Sequence, residues 1–266
     1  MPKLEGKIYK MRTELKETVD YYLTVGTGEI YMNDLLGKSV SLKYSGQINC
    51  VHCGRRTKTS FAQGYCYTCF TTLPQTDVCT LRPELCEAQN GISRDMEWAE
   101  ENCLKDHYVY LALTSIVKVG VTRFSQIPIR WIDQGAWKAI KLAKAPNRNL
   151  AGQIEVFLKD HLSDKTNWRH MLTNKLAEDV DLLSEKEYIL RLLPDELNYY
   201  ASEEDEITEI TYPVLEYPVK VKSIGFDKIP EYTGILTGIK GQYLMFDNHI
   251  VLNIRKHAGY MINLHY

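Results

Sequence analysis

The stretch HYVYLALTSIVKVGVTR, residues 107–123, sets two apolar runs, 108–112 and 116–121, on either side of Thr114 and Ser115. Runs of β-branched and aromatic residues around a short polar pair predict a tight hairpin with both strands mostly buried. Immediately after it, residues 126–136 predict a basic amphipathic helix starting near Pro128, a residue tolerated in a first helical turn. Residues 138–145 return as a short apolar run that ends at Pro146. Leu150, Ile154, Phe157, Leu158 and Leu162 then fall at helical spacing within 149–162, and 167–178 continues the helical layer.

Outward from this core the pattern changes. Leu182, Leu183, Tyr188, Ile189, Leu192 and Leu193 predict one more helix before Pro194, followed by a solvated acidic loop around 203–206. The segments 217–226, 232–246, 249–254 and 260–266 are strand-like, with Asp247-Asn248 as a hairpin turn and GIKGQ, 238–242, as a bulge or turn. Near the N-terminus, 19–25 and 39–45 alternate apolar with polar residues and predict short antiparallel strands.

The whole chain has 266 residues, 44% hydrophobic and 25% charged, with a formal net charge of -2. That composition excludes collagen-like, coiled-coil and disordered chains. No stretch approaches the roughly 20 apolar residues of a membrane helix, and the charged start has no signal-like apolar core, so a cytoplasmic protein without membrane contact is expected. The near-neutral total conceals an asymmetry. Residues 107–175 carry 11 Lys/Arg against 4 Asp/Glu, whereas 176–209 carry 2 against 12. A local positive block of this kind is a footprint for a polyanion.

All seven cysteines fall between Cys50 and Cys103. Clustered thiols, odd in number and without an export signal, point to metal ligation rather than a disulfide framework. Cys50-Val-His-Cys53 and Cys66-Tyr-Thr-Cys69 are two CxxC pairs whose knuckles can deliver four thiolates to a tetrahedral zinc. Gly54 can take a positive φ and turn backbone N–H groups toward the sulfurs. Four thiolates leave no position for substrate, so this zinc is structural. Cys79, Cys86 and Cys103 fall one ligand short, and His107, four residues after Cys103, completes a candidate Cys3His zinc; the alternative is ordinary buried thiols.

The order KVGVTR, RWIDQGA and AGQIE that follows the first strand resembles the GIY-YIG nuclease fold, in which two motif-bearing strands precede a helix with an arginine and a later helix with a glutamate. Over about residues 40–260 the chain also resembles an uncharacterised bacterial family in which cysteine pairs precede KVGVTR, RWIDQGA and TNWR. The resemblance implies that Tyr110 matches the tyrosine of the first motif, while Tyr108 replaces its glycine. Gly120 matches the second motif, where Lys118 replaces tyrosine. Arg130 matches the phosphate-contacting arginine, with Arg123 as its rival, and Glu155 matches the glutamate that binds Mg²⁺ or Mn²⁺. Each also has a plain structural reading: Tyr110 in the core, Arg130 beside Asp133, Glu155 beside Lys159.

The expected fold is α+β: an N-terminal β segment (1–49), a zinc-ribbon-like module (50–106), a GIY-YIG-like mixed core (107–178), an acidic helix and loop (179–209) and a C-terminal β unit (210–266). Trp131, Trp137 and Trp168 interleave with Arg123, Lys138, Lys141, Lys144, Arg148 and Arg169, a pattern suited to a nucleic-acid surface, RNA or DNA. The leading expectation is a zinc-containing nucleic-acid-binding protein. Alternatives are a Mg²⁺- or Mn²⁺-dependent endonuclease using Tyr110, Lys118, Arg130 and Glu155, and a protein-interaction scaffold in which the acidic segment docks on the basic block or on a partner.

Overall fold

A computed structural model describes residues 2–162 and 167–266. Thr166, the first residue of the TNWR segment, lies outside the described residues. In chain order the elements are β1 (Lys3–Lys7), β2 (Arg12–Glu14), β3 (Asp20–Val25), β4 (Gly28–Tyr31), β5 (Ser39–Asn49), β6 (Arg56–Thr57) and α1 (Tyr67–Thr72). Short 3-10 turns lead to α2 (Met96–Asn102), β7 (His107–Leu113), β8 (Val117–Arg123), α3 (Ile129–Asp133), β9 (Lys138–Ala145), α4 (Arg148–Leu158) and α5 (Trp168–Leu172). Then come α6 (Leu182–Leu192), α7 (Asp195–Asn198), β10 (Thr208–Glu209), β11 (Lys222–Ile224), β12 (Glu231–Lys240), β13 (Tyr243–Phe246), β14 (Ile250–Asn253) and β15 (Tyr260–His265). The chain is thus mixed α+β, and no helix among the described residues is long and apolar enough to cross a membrane.

The elements divide into two units. The first comprises Met1–Thr71, Leu172–Asn174 and Thr211–Tyr266. Its main sheet has the order β1-β15-β5-β12-β13-β14-β11, with β6 hydrogen-bonded to β5, and a separate sheet has the order β2-β3-β4. The β-rich ends expected as separate segments therefore share one sheet: β5 lies between β15 and β12, and Leu42 faces Leu264 on one side and Tyr232 on the other. Partners roughly two hundred residues apart leave no mark in a local pattern. The Asp247-Asn248 turn is observed, with φ of 50° and 56°. Both residues sit in the left-handed region that a tight hairpin turn requires and that Asn and Asp tolerate.

The second unit comprises Thr72–Met171 and Lys175–Ile210. The break after Thr71 falls inside the 50–106 segment, so the two cysteine groups belong to different units. At its centre is the sheet β10-β9-β7-β8, all antiparallel. The 107–123 hairpin is observed with Tyr110 opposite Gly120 and Ala112 opposite Lys118. On one face Val109, Leu111, Leu113, Val119, Ile140 and Leu142 pack with Ala151, Ile154 and Leu158 of α4 and Leu182 and Ile189 of α6. Each fully buried Leu or Ile contributes roughly 1.5–3 kcal/mol over an exposed one. The other face carries Tyr108, Tyr110 and Lys118, and α3 presents Trp131 to it.

Two helices are shorter than their patterns predict. α3 spans only Ile129–Asp133, because Phe124–Gln126 is a 3-10 turn ahead of Pro128 and Gly135, at φ 71°, ends the helix. α5 stops at Leu172 because Asn174, at φ 50°, turns the chain left-handed and lets the Lys175 N–H donate back to the His170 carbonyl at 3.0 Å.

Candidate metal centres and the tyrosine cluster

Cys50 follows β5 directly and opens a knuckle at the tip of the β5–β6 hairpin, where Ile48 and Asn49 pair with Thr57 and Arg56. Gly54, at φ 72°, turns that knuckle and donates its N–H to the Cys50 carbonyl at 3.1 Å. Cys66 and Cys69 flank the start of α1. All four Sγ atoms lie within 4.8 Å of one another, and Cys53 and Cys66 are 3.8 Å apart. Tetrahedral thiolates about 2.3 Å from zinc stand about 3.8 Å from each other, so the group fits the ion. Burial alone would push the Cys50 thiol up, but backbone N–H groups of Cys53, Cys66 and His52 outweigh it and hold Cys50 down at about 6. Cys69 is pushed up to about 12, by burial first and then by the other three sulfurs. Four sulfurs that cannot all ionise alone are a set that a cation completes.

Cys79, Cys86 and Cys103 form a second group within 4.8 Å. Three different local devices position them. Asp77 caps the turn that carries Cys79, the 3-10 turn Pro83–Leu85 delivers Cys86, and Cys103 is the C-cap of α2. The first turn of α4 ties these pieces together. Arg148 donates its backbone N–H to the Cys103 carbonyl at 2.8 Å, and Asn149 Nδ2 donates to the carbonyls of Glu84 and Cys86 at 2.8 and 2.9 Å. The buried Arg148 guanidinium donates to Cys79 Sγ at 3.4 Å and to the Asn102 carbonyl at 3.2 Å. Gly152 is what allows this approach: a Cβ there would sit 2.2 Å from the Glu84 nitrogen. Hydrogen bonds from Cys103 and Cys79 drive Cys86 down to about 3, and the same contacts drive Cys103 up, so the group shares its protons around one thiolate.

His107 does not complete this group. It offers no nitrogen within 4.8 Å of all three sulfurs, and its Nδ1 is 2.7 Å from the Lys105 carbonyl. Its side chain lies in the buried start of β7, and burial lowers its pKa to about 4, with the Arg148 and Arg123 charges adding to the effect. The Cys3His set is thereby reduced to three cysteines and a neutral, structurally used imidazole.

Tyr110 is fully buried and donates its hydroxyl to Gln134 Oε1 at 3.0 Å, edge-on to Trp131. Gly120 makes the space for it, since a Cβ there would meet the Tyr110 hydroxyl at 2.5 Å. Burial pushes the hydroxyl up; the charge and hydrogen bonding of Arg130 oppose this, and the Glu155 charge reinforces it. Side chains from β7, α3 and α4 thus act on one hydroxyl. Lys118 is buried on the same sheet face as Tyr110. Glu155 is also buried and has Lys159 Nζ at 3.3 Å, the i+4 pair expected on the structural reading.

The basic block is largely occupied from within the unit. The segment after α7 runs along the β9 edge, with Ser202 N–H on the Leu142 carbonyl at 2.9 Å and β10 paired to β9. Its acids meet the strand's lysines: Glu209 with Lys138 at 3.0 Å and Glu204 with Lys141 at 2.5 Å. Lys144 pairs instead with Asp106 at 2.9 Å. Tyr108 donates to Glu204 at 3.0 Å, and Lys186 donates to Asp205 at 2.8 Å. Arg123 is partly buried on Asn102, and Arg169 lies over the Trp168 ring at 4.3 Å. Of the six residues expected on an open nucleic-acid surface, Lys138, Lys141 and Lys144 are ion-paired, while Arg148 is buried beside Cys79. The roles of Arg148 and Gln134 had no sequence signal, because Cys79 precedes Arg148 by 69 residues and Tyr110 precedes Gln134 by 24; the contact of Glu204 with Lys141, 63 residues apart, falls under the docking of the acidic segment on the basic block that charge suggested as an alternative.

Neither a curated protein nor a solved structure matches the chain. A family model does, over residues 37–262, and the chain belongs to that family, the protein of unknown function family DUF2797.

Proposed function

We propose that this chain is a zinc-containing protein that binds nucleic acid, RNA or DNA, through a GIY-YIG-like core in its second unit, with Arg130 as the phosphate contact. The observation that carries this reading is the site around the buried Tyr110 hydroxyl, which donates to Gln134 at the end of α3 at 3.0 Å, lies edge-on to Trp131 and faces Gly120 across the hairpin, with the charges of Arg130 and Glu155 near enough to bear on it. The element order supports it as well: hairpin, arginine-bearing helix, strand, glutamate-bearing helix. The cysteine groups would hold zinc as rigid supports and take no part in phosphate contact. Arg130 contributes a planar cation suited to a phosphate, and Lys118 a second positive charge on the same face.

Hydrolysis is the second reading, favoured by Glu155. Mg²⁺ or Mn²⁺ would be held by this single carboxylate together with substrate phosphates, since no acidic trio converges among the described residues. Burial pushes the Tyr110 phenol up, so on this reading the positive charges of Arg130 and Lys118 would have to favour its deprotonated form before it could serve as base. The test is cleavage and gel shift of structured RNA, single strands and branched DNA with Mg²⁺ or Mn²⁺. Binding that weakens at least tenfold in Arg130→Ala supports the proposal, and product that vanishes in Glu155→Ala moves it to nuclease. Neither shift nor cleavage by the native chain would overturn both.

A further inference from the structure

The three-cysteine group differs from a closed structural centre in two ways, and both face the same direction. First, three protein ligands satisfy only three corners of a tetrahedron, and no other His, Cys, Asp or Glu among the described residues joins the set. Structural zinc centres are closed by four protein ligands, whereas centres that handle a substrate keep one corner for it. Second, Cys79, Cys86 and Cys103 all line one cleft of about 340 Å³, shared with Trp98, Arg94 and Ser93. That volume lies within the range of small-molecule sites. Arg148 does not line the cleft; its guanidinium approaches Cys79 from the helix α4 side.

We infer that a zinc ion on Cys79, Cys86 and Cys103 takes a small-molecule thiol as its fourth ligand, with the body of that molecule in the cleft beside Trp98. Thiol is favoured over water or carboxylate by the donor set. Three thiolates make the ion soft and lower its power to acidify water, so sulfur competes best for the remaining corner. Charge permits it: three thiolates, a divalent ion and Arg148 sum to zero, so a further thiolate leaves the centre at only -1, and that charge sits at the edge of a solvent-accessible cleft rather than in the core. Binding replaces a metal-bound water; the thiol's S–H proton goes to solvent and its sulfur lone pair forms the new metal–sulfur bond. This site is separate from the Tyr110 cluster and stands whether or not nucleic acid binds.

The test is ¹¹³Cd NMR of the full chain loaded with two equivalents of cadmium, titrated with 2-mercaptoethanol. Two resonances are expected: one stays fixed, from the four-cysteine group, and one moves downfield as its oxygen ligand is replaced by sulfur. His107→Ala should leave both starting positions unchanged. Two resonances that both ignore the thiol, a single resonance, or a starting position that shifts in His107→Ala would each overturn the inference.

Discussion

The two cysteine groups are built from the same side chain and differ in what surrounds it. In the first, paired CxxC knuckles bring four sulfurs together at a hairpin tip, and backbone N–H groups of both pairs, those of His52, Cys53 and Cys66, hold Cys50 down at about 6. In the second, single cysteines on three unrelated turns meet only because the start of α4 binds each of them, and a side-chain cation, Arg148, replaces the knuckle amides. Local geometry saturates the first centre and long-range packing leaves the second with three ligands. The contrast teaches that ligand spacing in the chain reports closure: regular pairs close on themselves, and scattered ligands depend on a scaffold that can leave room.

The largest expected effect comes from breaking the closed centre. Cys66→Ser should abolish one of two zinc ions per chain and forfeit a binding free energy on the order of 10 kcal/mol, measured as zinc content and as loss of protection around residues 50–70 in hydrogen exchange. The second zinc should remain; loss of both would mean the groups are not independent.

Next in size is the pH response of His107, which separates a structural imidazole from a ligand. Its folded pKa of about 4 lies below the ordinary 6.5, so between those values the unfolded chain binds the extra proton and stability falls as pH drops. About 3 kcal/mol should be lost from pH 6.5 to pH 4 in urea melts of the second unit's transition, and His107→Asn should flatten that slope. A slope unchanged in His107→Asn would contradict the assignment.

Gly152→Ala tests the scaffold of the open centre alone. Alanine favours helix, but the clash with the Glu84 backbone nitrogen should dominate and displace the turn that carries Cys86. We expect a cost of about 1–3 kcal/mol and weaker metal retention at the three-cysteine group under a chelator, with the four-cysteine group unaffected. Equal weakening at both would remove the distinction. The smallest effect is Glu204→Gln, which frees Lys141 from an exposed pair worth under about 1 kcal/mol. Stability should hardly change, while nucleic-acid affinity should rise modestly and steepen in its salt dependence; weaker binding would argue that the acidic segment does not compete for the lysines.

Much of this arrangement was legible before folding where the signal is local. The 107–123 hairpin, α6 before Pro194, the Asp247-Asn248 turn and the CxxC pairs all rest on neighbours a few residues apart. What escaped depends on distant partners. The N- and C-terminal strands share a sheet because β5 meets β12 and β15, and no periodicity encodes that pairing. Lys138 and Lys141 read as an open basic face on the leading expectation; opposite charge suggested docking of the acidic segment as an alternative, but the pairs with Glu209 and Glu204 depend on the packing of the segment after α7 on β9. His107 read as a fourth ligand from its spacing to Cys103, whereas β7 begins at that residue and takes its side chain into the core, away from helical register with Cys103.

The most direct test of the contrast between the centres is zinc X-ray absorption on the purified full chain with its zinc content measured in parallel. A closed and an open centre together predict two zinc ions per chain, an average between three and four sulfur neighbours at about 2.3 Å, and a lighter neighbour at about 2.0 Å that gives way to sulfur when 2-mercaptoethanol is added. One zinc per chain with four sulfurs, or two with four sulfurs each before thiol is present, would contradict it.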